Sequence, residues 1–185
     1  QKRLVGMTDT TGKIIVDPFY SSIEKFRNGW ARVMKDSLCG FIDSVGNVVI
    51  PIKFEFLNGE FHNGLCMARQ NGKYGFINTK GEVAIPFIYD DVRIFTGEAT
   101  GVRKGEKWAL INREGKLITD FIYDFISYEW YRDGEVQVRK DGKIGFINAR
   151  GKEVIPCIYD NTWGYGPDRG HCLEKDGERV WVKVK

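Results

Sequence analysis

Apolar and polar residues alternate along most of this chain in short runs, and most of the runs are bounded by glycine. Val136-Gln137-Val138-Arg139 is one of them. Alternation with a period of two puts the apolar groups on one face of a strand and the polar groups on the other. No stretch sustains the apolar spacing of an amphipathic helix, so the pattern predicts an all-β protein with little or no helix. The runs also recur. A glycine, then apolar residues, then Asn or Asp stands at Gly40-Phe41-Ile42-Asp43, Gly75-Phe76-Ile77-Asn78 and Gly145-Phe146-Ile147-Asn148. Weaker copies are Gly6-Met7-Thr8-Asp9 and Ala109-Leu110-Ile111-Asn112, and the five are separated by 34, 35, 34 and 36 residues. A period in this range marks an array of stacked supersecondary units.

Other columns keep the same period. Three residues after each Asn or Asp comes Gly12, Gly46, Gly81, Gly115 or Gly151. An apolar run ending in Pro or Asp follows, as in Val48-Val49-Ile50-Pro51 or Leu117-Ile118-Thr119-Asp120. Next comes an aromatic residue (Tyr20, Phe54, Tyr89, Tyr123, Tyr159), with an acid after it in four copies (Glu55, Asp90, Asp124, Asp160). A second aromatic, Phe26, Phe61, Phe95 or Trp130, precedes the glycine that opens another alternating run.

Each repeat thus predicts three strands: a first after the late glycine, a second at the anchor, and a third ending in Pro. Proline stops pairing there because it has no N–H to donate. Asp141-Gly142 suits a tight hairpin turn, where positive φ favours glycine. In the Asn-x-x-Gly turn the Asn side chain bonds its own backbone. The expected organisation is one repeat domain over residues 1–185, with units at 4–37, 38–72, 73–106, 107–142 and 143–178 and a terminal strand at 179–185.

A glycine-led Phe-Ile-Asn/Asp, a turn glycine, an apolar strand ending in Pro and a Tyr-Asp pair together resemble the WG-repeat family, whose members are mostly bacterial. The resemblance runs from about Leu4 to Arg179. It departs at the dipeptide that names the family: the tryptophan position holds Val5, Cys39, Tyr74, Trp108 and Ile144, and Trp108 precedes Ala109. The resemblance implies tandem β-meanders and carries little chemistry with it. A meander that cannot bury its own apolar face stacks on its neighbours. An open, curved, solenoid-like array is therefore the expected arrangement, with a propeller-like ring as the alternative.

Composition narrows the function classes. The 22 glycines and 25 aromatic residues fit many short strands joined by tight turns. No apolar run approaches the roughly 20 residues that span a bilayer as a helix. A net charge of +3 is too small to point to nucleic acid. The four cysteines form no CxxC pair and suggest neither zinc nor a thioredoxin-type site. The chain starts at Gln1 directly inside a repeat, as the trimmed part of a longer protein does, so absent targeting signals do not fix a compartment.

No catalytic constellation stands out. His171 and Cys172 are adjacent in a predicted strand and point to opposite faces, while His62 and Cys66 straddle a connector. Cys66 and Cys172 share a column with Ala31, Ala99 and Val136, which reads as a small buried position. The acidic column reads as turn chemistry, since calcium needs six to eight oxygens around one point. Neither enzyme activity, a metal nor a cofactor is expected.

Two surfaces remain. One is aromatic: Tyr128, Tyr131, Trp163 and Tyr165 exceed what the core columns require and form the candidate binding surface. The other is a basic ladder of Arg69, Arg103, Lys104, Arg139, Lys140 and Lys175, with Lys107 and Lys143 in the turns that follow. The expected role is a non-catalytic interaction module for another protein. Binding of carbohydrate or cell-envelope glycan through exposed aromatics is the alternative, and nucleic acid is disfavoured.

Overall fold

Nearly every glycine-bounded run becomes a strand in the computed structural model, which describes residues 3–130, 134–166 and 169–184. Helix is absent among the described residues. The chain divides into two compact units, Gln1–Tyr89 and Asp90–Lys185. In the first unit, β1 (Val5–Thr8) pairs with β2 (Ile14–Tyr20). A second sheet orders β3 (Ser22–Ile23), β4 (Trp30–Lys35), β5 (Leu38–Asp43) and β6 (Val48–Phe54) as neighbours. A third does the same with β7 (Phe56–Leu57), β8 (Leu65–Gln70), β9 (Lys73–Asn78) and β10 (Val83–Tyr89).

The second unit holds β11 (Asp91–Val92), β12 (Ala99–Lys104) and β13 (Lys107–Asn112). Next comes a sheet of β14 (Phe125–Trp130), β15 (Glu135–Lys140), β16 (Lys143–Asn148) and β17 (Glu153–Tyr159). Last are β18 (Asn161–Gly166), β19 (Gly170–Lys175) and β20 (Glu178–Val182). All pairing is antiparallel between sequence neighbours. A complete repeat therefore has four strands, not three. The connector after the Tyr-Asp pair supplies the extra one, hydrogen-bonding along the free side of the first strand, as Phe56↔Arg69 and Leu57↔Ala68 show.

The core lies between consecutive sheets. In the first unit, Cys39, Phe41, Ile50 and Phe54 pack on Leu57, Cys66, Ala68 and Ile77 of the following sheet. In the second, Trp108, Leu110 and Tyr123 meet Ile126, Val136, Val138 and Ile147, and Ile144, Phe146 and Ile155 meet Leu173. The anchor phenylalanine column thus faces forward and the anchor isoleucine column faces backward. This is the period-two pattern expressed on both faces of one strand.

Proline does not end the third strand. Pro51, Pro86 and Pro156 sit inside β6, β10 and β17, each an edge strand, at a bulge. Phe41 pairs with Ile50 and Cys39 with Phe54, so two residues of β5 oppose four of β6. An edge bulge tolerates the missing N–H. It also lets the strand continue to its terminal aromatic, which pairs opposite the family's tryptophan position: Val5↔Tyr20, Cys39↔Phe54, Tyr74↔Tyr89 and Ile144↔Tyr159.

The bulge explains the anchor glycine. A Cβ on Gly40 or Gly75 would lie 2.6 Å from the carbonyl oxygen of Ile50 or Ile85, and on Gly145 2.7 Å from that of Ile155. Those are backbone atoms of the bulged strand and cannot step aside alone. The fourth repeat has Ala109 at this position, and there the third strand is lost. Only the bridges Ile111↔Leu117 and Trp108↔Tyr123 remain. The Leu110 amide donates instead to the Thr119 hydroxyl at 2.9 Å.

Gly75→Ala is expected to destabilise the first unit by about 1–3 kcal/mol, the cost of overpacking a close contact, in denaturant unfolding. Ala109→Gly is expected to cost far less than Gly75→Ala in the same measurement, because the strand it would admit is already displaced.

Candidate functional site

The turns consume much of the polar chemistry. Asn78 Oδ1 accepts from the amides of Lys80 and Glu82 at 2.9 and 3.0 Å, and Asn112 and Asn148 repeat the arrangement. The acidic column closes the other hairpin. Asp90 accepts from the Gly105 amide at 2.7 Å, Asp124 from Gly142 at 3.1 Å, and Asp160 from Asp176 at 3.0 Å.

The same carboxylates take the lysines of the preceding hairpin. Lys107 Nζ lies 2.5 Å from Asp124 Oδ1, and Lys143 is paired with Asp160. Each lysine holds its partner's carboxyl below the usual carboxylate range, helped by the turn amides, and each carboxylate raises its lysine.

Three of the six residues of the basic ladder have partners of their own. Arg69 stands 3.5 Å from Glu55, Arg103 donates to the Gly105 carbonyl at 2.7 Å, and Lys104 lies over the Phe121 ring at 5.6 Å. Arg139, Lys140 and Lys175 are exposed. Spacing alone does not reveal the ion pairs, because Glu55, Asp124 and Asp160 each lie 14 to 17 residues from the cation they meet.

The aromatic candidates do not behave as one patch. Trp163 is 53% exposed. Its indole N–H donates to Glu174 Oε2 at 2.7 Å, and the Arg179 guanidinium lies 3.8 Å over its ring. Tyr165 is half-buried and packs on the His171 ring, 5.0 Å between centroids. His171 and Glu174 point to opposite faces of β19, so Trp163 and Tyr165 do as well. Tyr128 is 65% exposed, with the guanidinium of Arg93 3.6 Å from its ring. Arg93 is itself buried, lies 3.9 Å over Trp108, and donates from Nε to the Ile126 carbonyl at 3.2 Å. Burial pushes the Arg93 guanidinium pKa down. Tyr131 lies outside the described residues. Trp181, 49% exposed on β20 and paired with Cys172, is an aromatic that repeat spacing does not single out.

The small buried column is shifted by one residue in two copies. Pairing aligns Ala31, Cys66, Thr100, Val136 and His171, so His171 and not Cys172 occupies the buried position, and Thr100 replaces Ala99. The third copy carries one residue more after its opening glycine and the fifth one fewer. Of the polar members, the Thr100 hydroxyl donates to the Arg93 carbonyl, and His171 Nε2 lies 2.8 Å from Glu135 Oε1, both groups buried. Cys66 donates to the Asn58 carbonyl, and burial pushes its thiol up to about 12.

Along the chain, the WG containing repeat family matches residues 6–39, 40–74, 74–108, 109–143 and 144–166 in succession. The chain belongs to the WG-repeat family. Among solved structures, KlHsv2 with loop 6CD replaced by a Gly-Ser linker aligns over 97% of this WG-repeat chain and 69% of that chain, with 13% identity and a TM-score of 0.44. No curated protein matches it.

Two predictions follow from these WG-repeat turns and their core. Folding lowers the carboxyl pKa of Asp124 and Asp160, so the unfolded chain takes up those protons first on acidification. Their stabilisation is complete above the ordinary carboxylate value near 3.8 and is lost as pH falls through the lowered folded values. Asp124→Asn/Asp160→Asn is expected to flatten the acid limb of the stability curve, measured by denaturant midpoint from pH 6 downward. At pH 8 the Cys66 thiol stays protonated, so a thiol-reactive disulfide reagent is expected to label it only on the timescale of unfolding.

Proposed function

We propose that this WG-repeat chain is a non-catalytic module that binds another protein, with Tyr128 and Trp163 as its anchors. One observation supports this most: both exposed rings are held by arginine before any partner arrives. Tyr128 lies on Arg93, which lies on Trp108, and Trp163 lies under Arg179 with its N–H fixed by Glu174.

A large amphipathic ring already fixed in place loses little freedom on binding, which is what a hot-spot residue requires. Stacking on a cation leaves the outer ring face apolar and open. The cysteine chemistry also favours binding over catalysis, since burial raises the thiols of Cys66 and Cys157 to about 12 and about 11.

The test is capture of a partner from the native cell lysate by the intact protein, followed by affinity measurement with the purified partner. Tyr128→Ala and Trp163→Ala are each expected to weaken binding by about 2 kcal/mol or more while the unfolding midpoint stays put. A partner bound with unchanged affinity by both variants would move the surface elsewhere. Failure of the intact protein to capture any partner counts against the module itself.

A further inference from the structure

Between the second and third sheets of the first unit lies a cleft of about 180 Å³ that the repeat columns do not announce. Its floor is three rings: Trp30 at the start of β4, Phe41 of β5, and Phe61 from the connector after β7. The rings tilt against one another, with interplanar angles of 85° for Trp30–Phe61, 50° for Trp30–Phe41 and 48° for Phe41–Phe61. They make a cup and not a slot between parallel faces.

The rim comes from a tight turn. Arg27 and Trp30 exchange backbone hydrogen bonds across Asn28 and Gly29, whose φ values are 50° and 84°. This is the Asn-Gly hairpin turn that needs positive φ twice. Across the mouth Arg27 forms an ion pair with Glu60. Asn28, Trp30 and Thr79 also line the cleft, and their side-chain polar groups have no hydrogen bond to another described residue.

The second unit has a cleft at the equivalent place. Ala99 holds the Trp30 position, opposite Asn112 as Trp30 is opposite Asp43, and Trp130 holds the Phe61 position, around a volume of about 210 Å³. At the next junction of that unit the same positions are filled. Glu135, opposite Asn148, binds the buried His171, whose ring packs 4.0 Å from Phe146 and beneath Tyr165. Repeat geometry alone does not force an opening, because side chains close it where they are chosen to.

We propose that the cleft of the first unit binds a single pyranose ring of a neutral carbohydrate. Its volume is well below the roughly 300–1,000 Å³ of sites for drug-sized ligands and suits one six-membered ring. The cup of tilted aromatics fits the puckered C–H face of a sugar, whereas a flat nucleobase asks for parallel faces. Amide, hydroxyl, indole N–H, guanidinium and carboxylate offer both donors and acceptors to ring hydroxyls. With Arg27 and Glu60 paired, the mouth carries no net charge to attract a phosphate. This site shares no residue with the Tyr128 and Trp163 reading and does not depend on it.

Saturation-transfer NMR and tryptophan fluorescence with the intact protein test it. The probes are the methyl glycosides of glucose, galactose, mannose and N-acetylglucosamine, with N-acetyltryptophanamide and adenosine as competitors. At least one glycoside is expected to bind saturably in the millimolar range. Asn28→Gly, which keeps the turn, and Glu60→Gln, which keeps the side-chain shape, are each expected to weaken it about tenfold with unchanged unfolding midpoints. Tyr128→Ala/Trp163→Ala is expected to leave glycoside binding as it was. Absence of saturable binding by all four glycosides overturns the proposal, as does an affinity unchanged in both cleft variants. Tighter binding of N-acetyltryptophanamide or adenosine than of every glycoside overturns it too, and hands the cleft to a peptide side chain or a nucleobase.

Discussion

The approach of the third strand to the anchor glycine is the constraint on which each repeat depends. The bulge at Pro51, Pro86 or Pro156 drops backbone onto the second strand at a distance that leaves no room for a Cβ. In return it brings the strand's isoleucine into the core, where Ile50, Ile85 and Ile155 are fully buried. Full burial of such a side chain contributes about 1.5–3 kcal/mol relative to exposure. The same bulge re-aims the terminal aromatic opposite the tryptophan position. That position can therefore vary among Cys39, Tyr74 and Ile144 while its neighbour stays glycine. Where Ala109 breaks the rule, the strand detaches and a threonine hydroxyl takes over one of its hydrogen bonds.

Electrostatics follow from the same regularity. Each acid after the terminal aromatic reaches the following hairpin tip, and Asp124 and Asp160 also reach the lysine of the preceding one. Exposed ion pairs of this kind contribute little to stability individually. They do neutralise Lys107 and Lys143, while Arg139, Lys140 and Lys175 stay exposed. The proposed recognition surfaces are instead aromatic and local: rings fixed on arginines in the second unit, and a cup of rings beside an ion pair in the first. Repeat position thus fixes where a surface residue stands, and departures from the repeat decide whether that place is filled, paired or open.

Much of the fold was legible because its signals are local. Positive φ at Gly12, Gly46, Gly81, Gly115 and Gly151, the Asn and Asp side chains folded onto their own turns, and alternation on every hairpin all concern residues within a few positions of each other. The fourth strand was missed because the connectors that supply it share no pattern: two residues pair in Phe56–Leu57 and Asp91–Val92, whereas Phe125–Trp130 and Asn161–Gly166 are six residues long. Proline looked like a terminator because a bulge and a strand end leave the same mark in sequence. The one-residue slips that put His171 rather than Cys172 in the core column arise from loop-length changes after the opening glycine. Only pairing register resolves them.

Of the candidate site, the sequence located the surplus aromatics but not their orientation. Trp163 and Tyr165 are two residues apart in β18 yet lie on opposite faces of its sheet, because a bulge between Thr162 and Gly164 sets them out of phase. The Trp30–Phe61 cup joins residues about a full repeat apart, and no local spacing signals that they meet. The sequence by itself determined the repeat, the turns, the all-β class and the family, since these rest on backbone chemistry repeated at a fixed period. The tertiary structure alone decided which acids meet which lysines, which rings lie on arginines and which junctions stay open. Those are contacts between neighbouring repeats, and their geometry depends on how far one sheet approaches the next.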